Sequence, residues 1–142
     1  MRKLLAGLVM AAVAAFSFTA TAAEQRLPIS DSGYTDFMLP SGNIGCIYIP
    51  EGGTDVYQPE DGGPELQCDR IEPTYVRTIL NASGKGKIYK NVGDASCCNG
   101  PVLRYGNSTT LGPFYCESAR TGLTCYRGKN GFSLSKRKVS AW

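Results

Sequence analysis

The side chains that could perform chemistry in this 142-residue chain are limited by the absence of histidine. Without histidine there is no Ser-His or Cys-His pair to activate a nucleophile, and the commonest general base at neutral pH is missing. Carboxylates remain at Glu60, Asp61, Asp69 and Glu72, and two facing carboxylates could hydrolyse a glycosidic bond. These four fall in expected loops or on opposite strand faces. A carboxylate-dependent hydrolase is therefore the alternative to a non-enzyme, and we assign no catalytic residue.

The six cysteines are the next residues whose side chains could form functional or structural bonds. The absence of a C-x-x-C motif argues against a thioredoxin-like redox site and the usual zinc spacings, so we expect disulfides, no metal and no cofactor. A four-residue loop over 119–122 would place Cys116 directly opposite Cys125 in a hairpin, within disulfide reach. We also pair Cys46 with Cys68, because both bracket strands that can run side by side.

The two remaining cysteines, Cys97 and Cys98, are adjacent in the chain. Neighbouring Cα atoms are only about 3.8 Å apart across a trans peptide, which is below the usual range for a disulfide. A vicinal bridge and a pair of free thiols both remain open.

Short hydrophobic segments separated by Gly, Pro, Asn and Ser are typical of strands and turns. Residues 74–81 could form a short helix or a strand, and residues 51–65 lack an apolar period and predict a long exposed loop. The pattern predicts one all-β domain over residues 23–142, either a small barrel or a two-layer sandwich of antiparallel strands stapled by disulfides. Candidate strands cover residues 36–39, 43–49, 66–70, 87–92, 102–105, 113–117, 123–127 and 132–135.

The N-terminus has the pattern of a secretory signal peptide over residues 1–22. A basic start at residues 1–3 precedes an uncharged, Ala-rich stretch over 4–20, which ends on Ala20-Thr21-Ala22. Small residues at this end suit a peptidase better than a membrane anchor, and nothing downstream is apolar enough to span a bilayer. We therefore expect a periplasmic or secreted protein without a transmembrane segment after cleavage, in a compartment where disulfides persist.

Charge is unevenly distributed along the chain. Residues 24–72 contain ten acidic and two basic residues, whereas residues 73–142 contain eleven basic and two acidic residues. The two halves could pack together and partly neutralise each other. Alternatively, a basic face around 85–90 or 136–138 could meet an anionic polymer or a membrane. Because the chain begins with an export signal and is close to neutral after that signal is removed, we do not expect a nucleic-acid partner.

Residues 37–46, Phe-Met-Leu-Pro-Ser-Gly-Asn-Ile-Gly-Cys, resemble the F-x-x-P-S-G-N-I-G-C opening of a family of exported bacterial proteins, domain of unknown function 6636. The family's C-D-x-I, L-x-Y-G, G-x-F-x-C, G-L-T-C and G-F-x-L-S elements also occur here in order. The resemblance implies an exported, disulfide-bearing β-domain and brings no activity, substrate or catalytic residue. A cysteine that the family carries after C-D-x-I is missing, so its pairing is not transferred to Cys97 and Cys98. The five later elements lie at residues 68–71, 103–106, 112–116, 122–125 and 131–135.

The candidate binding residues are Ser41, Asn43, Tyr105 and Phe132, where turn glycines, polar groups and aromatic rings occur together in the resembling segments. Residues 40–43 predict a tight turn, which could simply feed a buried strand or could display Ser41 and Asn43 at a binding loop. We expect a non-catalytic binding or inhibitor-type envelope protein, with an envelope protein or a glycan as its partner.

Overall fold

The computed structural model describes residues 14–17, 19–95 and 97–142. Most of the predicted signal peptide, residues 1–22, therefore lies outside the described residues. The described chain contains strands and no helix, which confirms the all-β prediction. The strands are β1 (Ala23–Glu24), β2 (Thr35–Met38), β3 (Ile44–Ile49), β4 (Glu65–Arg70), β5 (Val76–Asn81), β6 (Lys87–Tyr89), β7 (Asn107–Leu111), β8 (Phe114–Ala119), β9 (Gly122–Arg127), β10 (Asn130–Leu134) and β11 (Val139–Ala141).

The strands form two sheets that are not closed into a barrel, so the architecture is a sandwich. One sheet has the order β2-β3-β4-β5-β6, and each strand is antiparallel to its neighbour. The other has the order β1-β7-β8-β9-β10-β11, in which only the pairing of β1 with β7 is parallel. The chain crosses from the first sheet to the second between β6 and β7.

The core lies between the two sheets and follows from the period-two alternation of the strands. In β5, for example, Val76, Thr78 and Leu80 are buried while the residues between them are half-buried. Of the short helix and the strand that the sequence left open for residues 74–81, the structure therefore contains the strand. The largest fully buried side chains come from both sheets and form one cluster. They include Phe37, Leu66, Leu80, Phe114 and Phe132.

Each sheet contains one of the two predicted disulfides. Cys46 is paired with Cys68 across β3 and β4, and Cys116 with Cys125 across β8 and β9. In both pairs the Cα atoms are 4.1 Å apart and the side chains belong to the core. Both pairings are confirmed.

The loop between β8 and β9 is shorter than predicted. Ala119 pairs with Gly122, so that only residues 120–121 remain outside the ladder. The strands extend by one residue on each side, and the register that places Cys116 opposite Cys125 is therefore unchanged.

Cys97 and Cys98 are joined to each other as a vicinal disulfide, and none of the six cysteines is free. This pair covers the outer face of the first sheet at Gly45, where an added Cβ would lie 2.7 Å from the Cβ of Cys98. The backbone N–H of Cys97 also donates a 3.1 Å hydrogen bond to the hydroxyl of Tyr75. The pair thus anchors the connection between β6 and β7 to the sheet.

The connection from β3 to β4, residues 50–64, has no strand or helix in the described chain. It is only partly exposed, because Thr54 and Pro59 are buried. The Thr54 hydroxyl accepts the backbone N–H of Tyr57 at 3.1 Å, and the Tyr57 hydroxyl donates to Glu65 at 3.1 Å. These bonds hold the loop against the start of β4.

Candidate binding cleft

A cleft of about 800 Å³ opens at one end of the sandwich. This volume is in the range typical of small-molecule sites. The cleft lies where β3 and β9 begin and where β4, β8 and β10 end, so turns and strand ends build its walls. The lining comes from residues 41–44, 71–72, 119–122 and 135–137, together with Leu39 and Tyr105.

The turn between β2 and β3 forms one wall and follows the predicted tight-turn chemistry. The Gly42 N–H donates to the Leu39 carbonyl at 2.9 Å, and Gly42 has a φ of +69°, a conformation that glycine adopts without a Cβ penalty. The Ser41 hydroxyl accepts the N–H of Asn43 at 3.2 Å. Ser41 is exposed and lines the cleft, so its O–H remains able to donate to a ligand.

Asn43 has a different role from Ser41, because both polar atoms of its side chain bind the backbone of Glu72. Its Oδ1 accepts the Glu72 N–H at 2.8 Å, and its Nδ2 donates to the Glu72 carbonyl at 3.1 Å. The N–H of Ile71 donates to the Asn43 carbonyl at 3.0 Å. Asn43 therefore fixes the adjoining segment at residues 71–72, which follows the neighbouring strand β4, and acts as a positioning residue.

Tyr105 and Arg120 meet on the opposite side of the cleft. Tyr105 is half-buried against the core, and the guanidinium carbon of Arg120 lies 5.4 Å from the centre of its ring. This distance permits a cation–π contact, which orients the otherwise exposed Arg120.

Gly122 brings the hairpin that carries Arg120 close to the turn after β10. A Cβ at position 122 would collide with the carbonyl of Leu134 and lie 2.9 Å from the Cβ of Ser135. Glycine is therefore required for this close approach, and the two cationic turns share one wall of the cleft.

The turn between β10 and β11 supplies two more cations. The Ser135 hydroxyl accepts the N–H groups of Arg137 and Lys138 at 3.3 and 2.9 Å, and the Ser135 N–H donates to the Lys138 carbonyl at 2.9 Å. This bonding closes a compact turn that leaves Lys136 and Arg137 exposed at the cleft. The basic run 136–138, noted in the sequence as part of a basic face, thus contributes two cleft residues.

A buried guanidinium lies behind the wall of the cleft. Arg70 is 5% exposed, and its Nη1 donates to the carbonyl of the lining residue Ser135 at 2.9 Å. Its Nη2 donates to the carbonyl and hydroxyl of Thr74 at 3.1 and 3.3 Å. Within the described residues, Nε has no hydrogen-bond partner and no carboxylate forms an ion pair with Arg70. Burial lowers the pKa of Arg70 because it removes water from the charged form.

Arg70 is not among the predicted binding residues, although the sequence contains a signal for it. In β4, Arg70 continues the inward series of Leu66 and Cys68 at a spacing of two residues. Period-two alternation therefore places a cation between the sheets.

Of the four predicted binding residues, three come together and one does not. Ser41, Asn43 and Tyr105 line the cleft although they are far apart in the sequence. Phe132 is fully buried in the core opposite Cys125, where it cannot contact a ligand. We therefore leave Phe132 out of the site.

The carboxylates considered for hydrolysis lie in different places. Asp69 forms a two-bond ion pair with Arg77 on the outer face of the first sheet, with both N–O distances at 2.9 Å, and this pairing raises the pKa of Arg77. Asp69 lines a separate cavity of about 80 Å³, whereas Glu72 lines the cleft. Glu60 and Asp61 are exposed in the loop over 50–64. Among the residues described, no group of three or more potential ligands could hold a metal ion.

No protein-family model matches this chain, and no curated protein or solved structure is significantly similar to it. In the part of the chain that the structure describes, no helix has the length and apolar character needed to cross a membrane. The fold and the site define a disulfide-bonded β-sandwich with a cationic cleft at one end.

Proposed function

We propose that this protein is an exported, non-catalytic binding module that holds its partner in the cleft. The observation that carries the proposal is that segments far apart in the sequence meet around one cavity. They are the turn at 41–43, Tyr105, the hairpin tip at 120–121 and the turn at 136–137. Binding residues carried on turns and positioned by a rigid scaffold are a common arrangement in recognition domains.

The arrangement of the disulfides supports export. One buried disulfide cross-links two neighbouring strands in each sheet. Such bonds persist in oxidising compartments outside the cytosol. The signal-peptide pattern over residues 1–22 and the resemblance to an exported bacterial family point in the same direction. A periplasmic or secreted location is therefore part of the proposal.

The chemistry of the cleft supports binding rather than catalysis. Its lining offers hydroxyl groups, cations and, among the described residues, Glu72 as the single carboxylate. Hydrolysis by paired carboxylates needs two such groups on either side of the scissile bond. Because Asp69 and Glu72 line different cavities, no specific observation favours the hydrolase alternative.

The test compares a variant that blocks the cleft with a matched variant elsewhere. Thr121 is exposed at the hairpin tip and lines the cleft, whereas Thr110 is exposed on β7 away from it. The purified protein and its T121W and T110W variants are immobilised and exposed to an extract of the compartment into which the protein is exported.

We expect T121W to lose the component that the unaltered protein retains, because the indole occupies the mouth of the cleft. T110W should retain it, and all three proteins should have similar melting temperatures, since both positions are exposed. Equal retention by T121W and T110W, or turnover of a retained glycan that Glu72→Gln abolishes, would refute the proposal.

A further inference from the structure

Positive charge is concentrated at the cleft. Arg120, Lys136 and Arg137 line it, and among the described lining residues Glu72 is their only acidic counterpart. The two ion pairs of the described chain both involve Arg77, which lies elsewhere, so they leave these three cations uncompensated. A cleft lined by one sign of charge attracts ligands of the opposite sign.

Arg70 adds a buried positive charge behind the same wall, where it bonds to the carbonyl of the lining residue Ser135. A buried charge is costly unless a counter-charge and hydrogen-bond acceptors surround it. The partners of Arg70 are neutral oxygen atoms, and its Nε–H is unpaired within the described residues. An anionic group in the cleft would provide the missing negative potential next to the wall that Ser135 shares with Arg70.

The remaining lining groups limit the kind of anion. Ser41 and Thr121 provide hydroxyls, while Glu72 can accept hydrogen bonds from a ligand that has hydroxyls of its own. A ligand with anionic groups and no hydrogen-bond donors could not bond to the Glu72 carboxylate. A ligand that carries both carboxylates and hydroxyls matches the whole set.

The topology argues against an extended acidic peptide. Peptides bound in extended form usually add a strand to an exposed sheet edge. The edge strands are β1, β2, β6 and β11, and no described residue of these strands lines the cleft. The cleft offers side chains at strand ends instead, which suits a compact polyhydroxylated ligand.

We infer that the ligand of the cleft is an acidic oligosaccharide, whose carboxylates bind Arg120, Lys136 and Arg137 and whose hydroxyls bind Ser41 and Glu72. This inference rests on the proposed function, because it names the chemical class of the ligand of that same site.

Titration calorimetry of the purified protein with trigalacturonate tests the inference, with galactotriose of the same linkage as the uncharged probe. We expect trigalacturonate to bind at least about ten-fold more tightly, since hydrogen bonds between charged groups are stronger than neutral ones. Its affinity should also fall as salt is added.

A matched pair of variants locates the binding. Lys136→Gln should weaken trigalacturonate binding several-fold, whereas Lys129→Gln should leave it unchanged, because Lys129 is also exposed but lies in the turn between β9 and β10 at the other end of the sandwich. Both variants remove one exposed charge, so neither should unfold the protein.

Three results would overturn the inference: no binding of trigalacturonate, equal binding of both sugars, or equal effects of K136Q and K129Q. Tighter binding of polyglutamate than of trigalacturonate would also overturn it, in favour of an acidic protein partner. In each case the T121W and T110W comparison still tests the proposed function separately, because that experiment does not depend on the chemical class of the ligand.

Discussion

The amide of Asn43 is predicted to stabilise the wall of the cleft rather than to contact the ligand. Asn43→Ala removes the two hydrogen bonds to the backbone of Glu72, at 2.8 and 3.1 Å. Each such bond contributes about 1 kcal/mol net, and the exposed Glu72 backbone can bond to water instead, so we expect a loss of about 2 kcal/mol in the free energy of unfolding.

Urea unfolding with a matched series measures this loss. Asn43→Asp keeps an acceptor for the Glu72 N–H but places a carboxylate oxygen against the Glu72 carbonyl in place of the amide donor, so it should cost at least about 1 kcal/mol. Ser41→Ala removes a single acceptor, for a 3.2 Å bond in an exposed turn, and should cost about 0.5 kcal/mol.

The same series separates positioning from contact when partner capture is also measured. Asn43→Ala should weaken capture together with stability, whereas Ser41→Ala should weaken capture with little change in stability. If Asn43→Ala unfolded at the same urea concentration as the unaltered protein but lost capture, the amide would contact the ligand, and our interpretation of it as a positioning residue would be refuted.

Two further predictions concern stability. Replacing both cysteines of one disulfide by alanine should lower the free energy of unfolding by about 3.4 kcal/mol for Cys46–Cys68 and by about 2.6 kcal/mol for Cys116–Cys125. The bridged residues are 22 and 9 positions apart, and a longer closed loop restricts the unfolded chain more. A larger loss for Cys116–Cys125 in urea unfolding would contradict this prediction. Glu65→Gln should stabilise the fold at neutral pH, and this gain should vanish below pH 4.5. Burial raises the pKa of Glu65 above its usual 4.5, so the unaltered protein loses stability as the pH rises through the raised pKa. An equal difference in melting temperature between the two proteins at neutral pH and below pH 4.5 would refute this prediction.

Much of the fold could be predicted because its strands have clear local signals. The hairpin of β8 and β9 alternates inward and outward residues around Cys116 and Cys125, and this alternation fixes both register and disulfide. The same reasoning failed at β7 because its sequence, Asn-Ser-Thr-Thr-Leu, resembles a turn. The apolar residues just before it predicted a strand over 102–105, but only Val102 forms an isolated bridge, to Met38.

The candidate site was only partly predictable, since it depends on contacts between distant segments. Local motifs predict Ser41 and Tyr105 as binding residues, and the structure brings them to one cleft. The clamp of Asn43 on Glu72 joins residues 29 positions apart, and no local pattern indicates it. An aromatic ring next to a turn glycine also predicts Phe132 as a binding residue, but its inward position in β10 places it in the core.

Site-specific photocrosslinking in living cells tests most directly the central claim that the protein binds its partner through the cleft. A photoreactive phenylalanine analogue is placed at Thr121, on the rim of the cleft, or at Thr110, which is exposed on β7. The claim predicts a crosslinked product from position 121 and none from position 110. Crosslinking from position 110 alone, or equally from both positions, would contradict it.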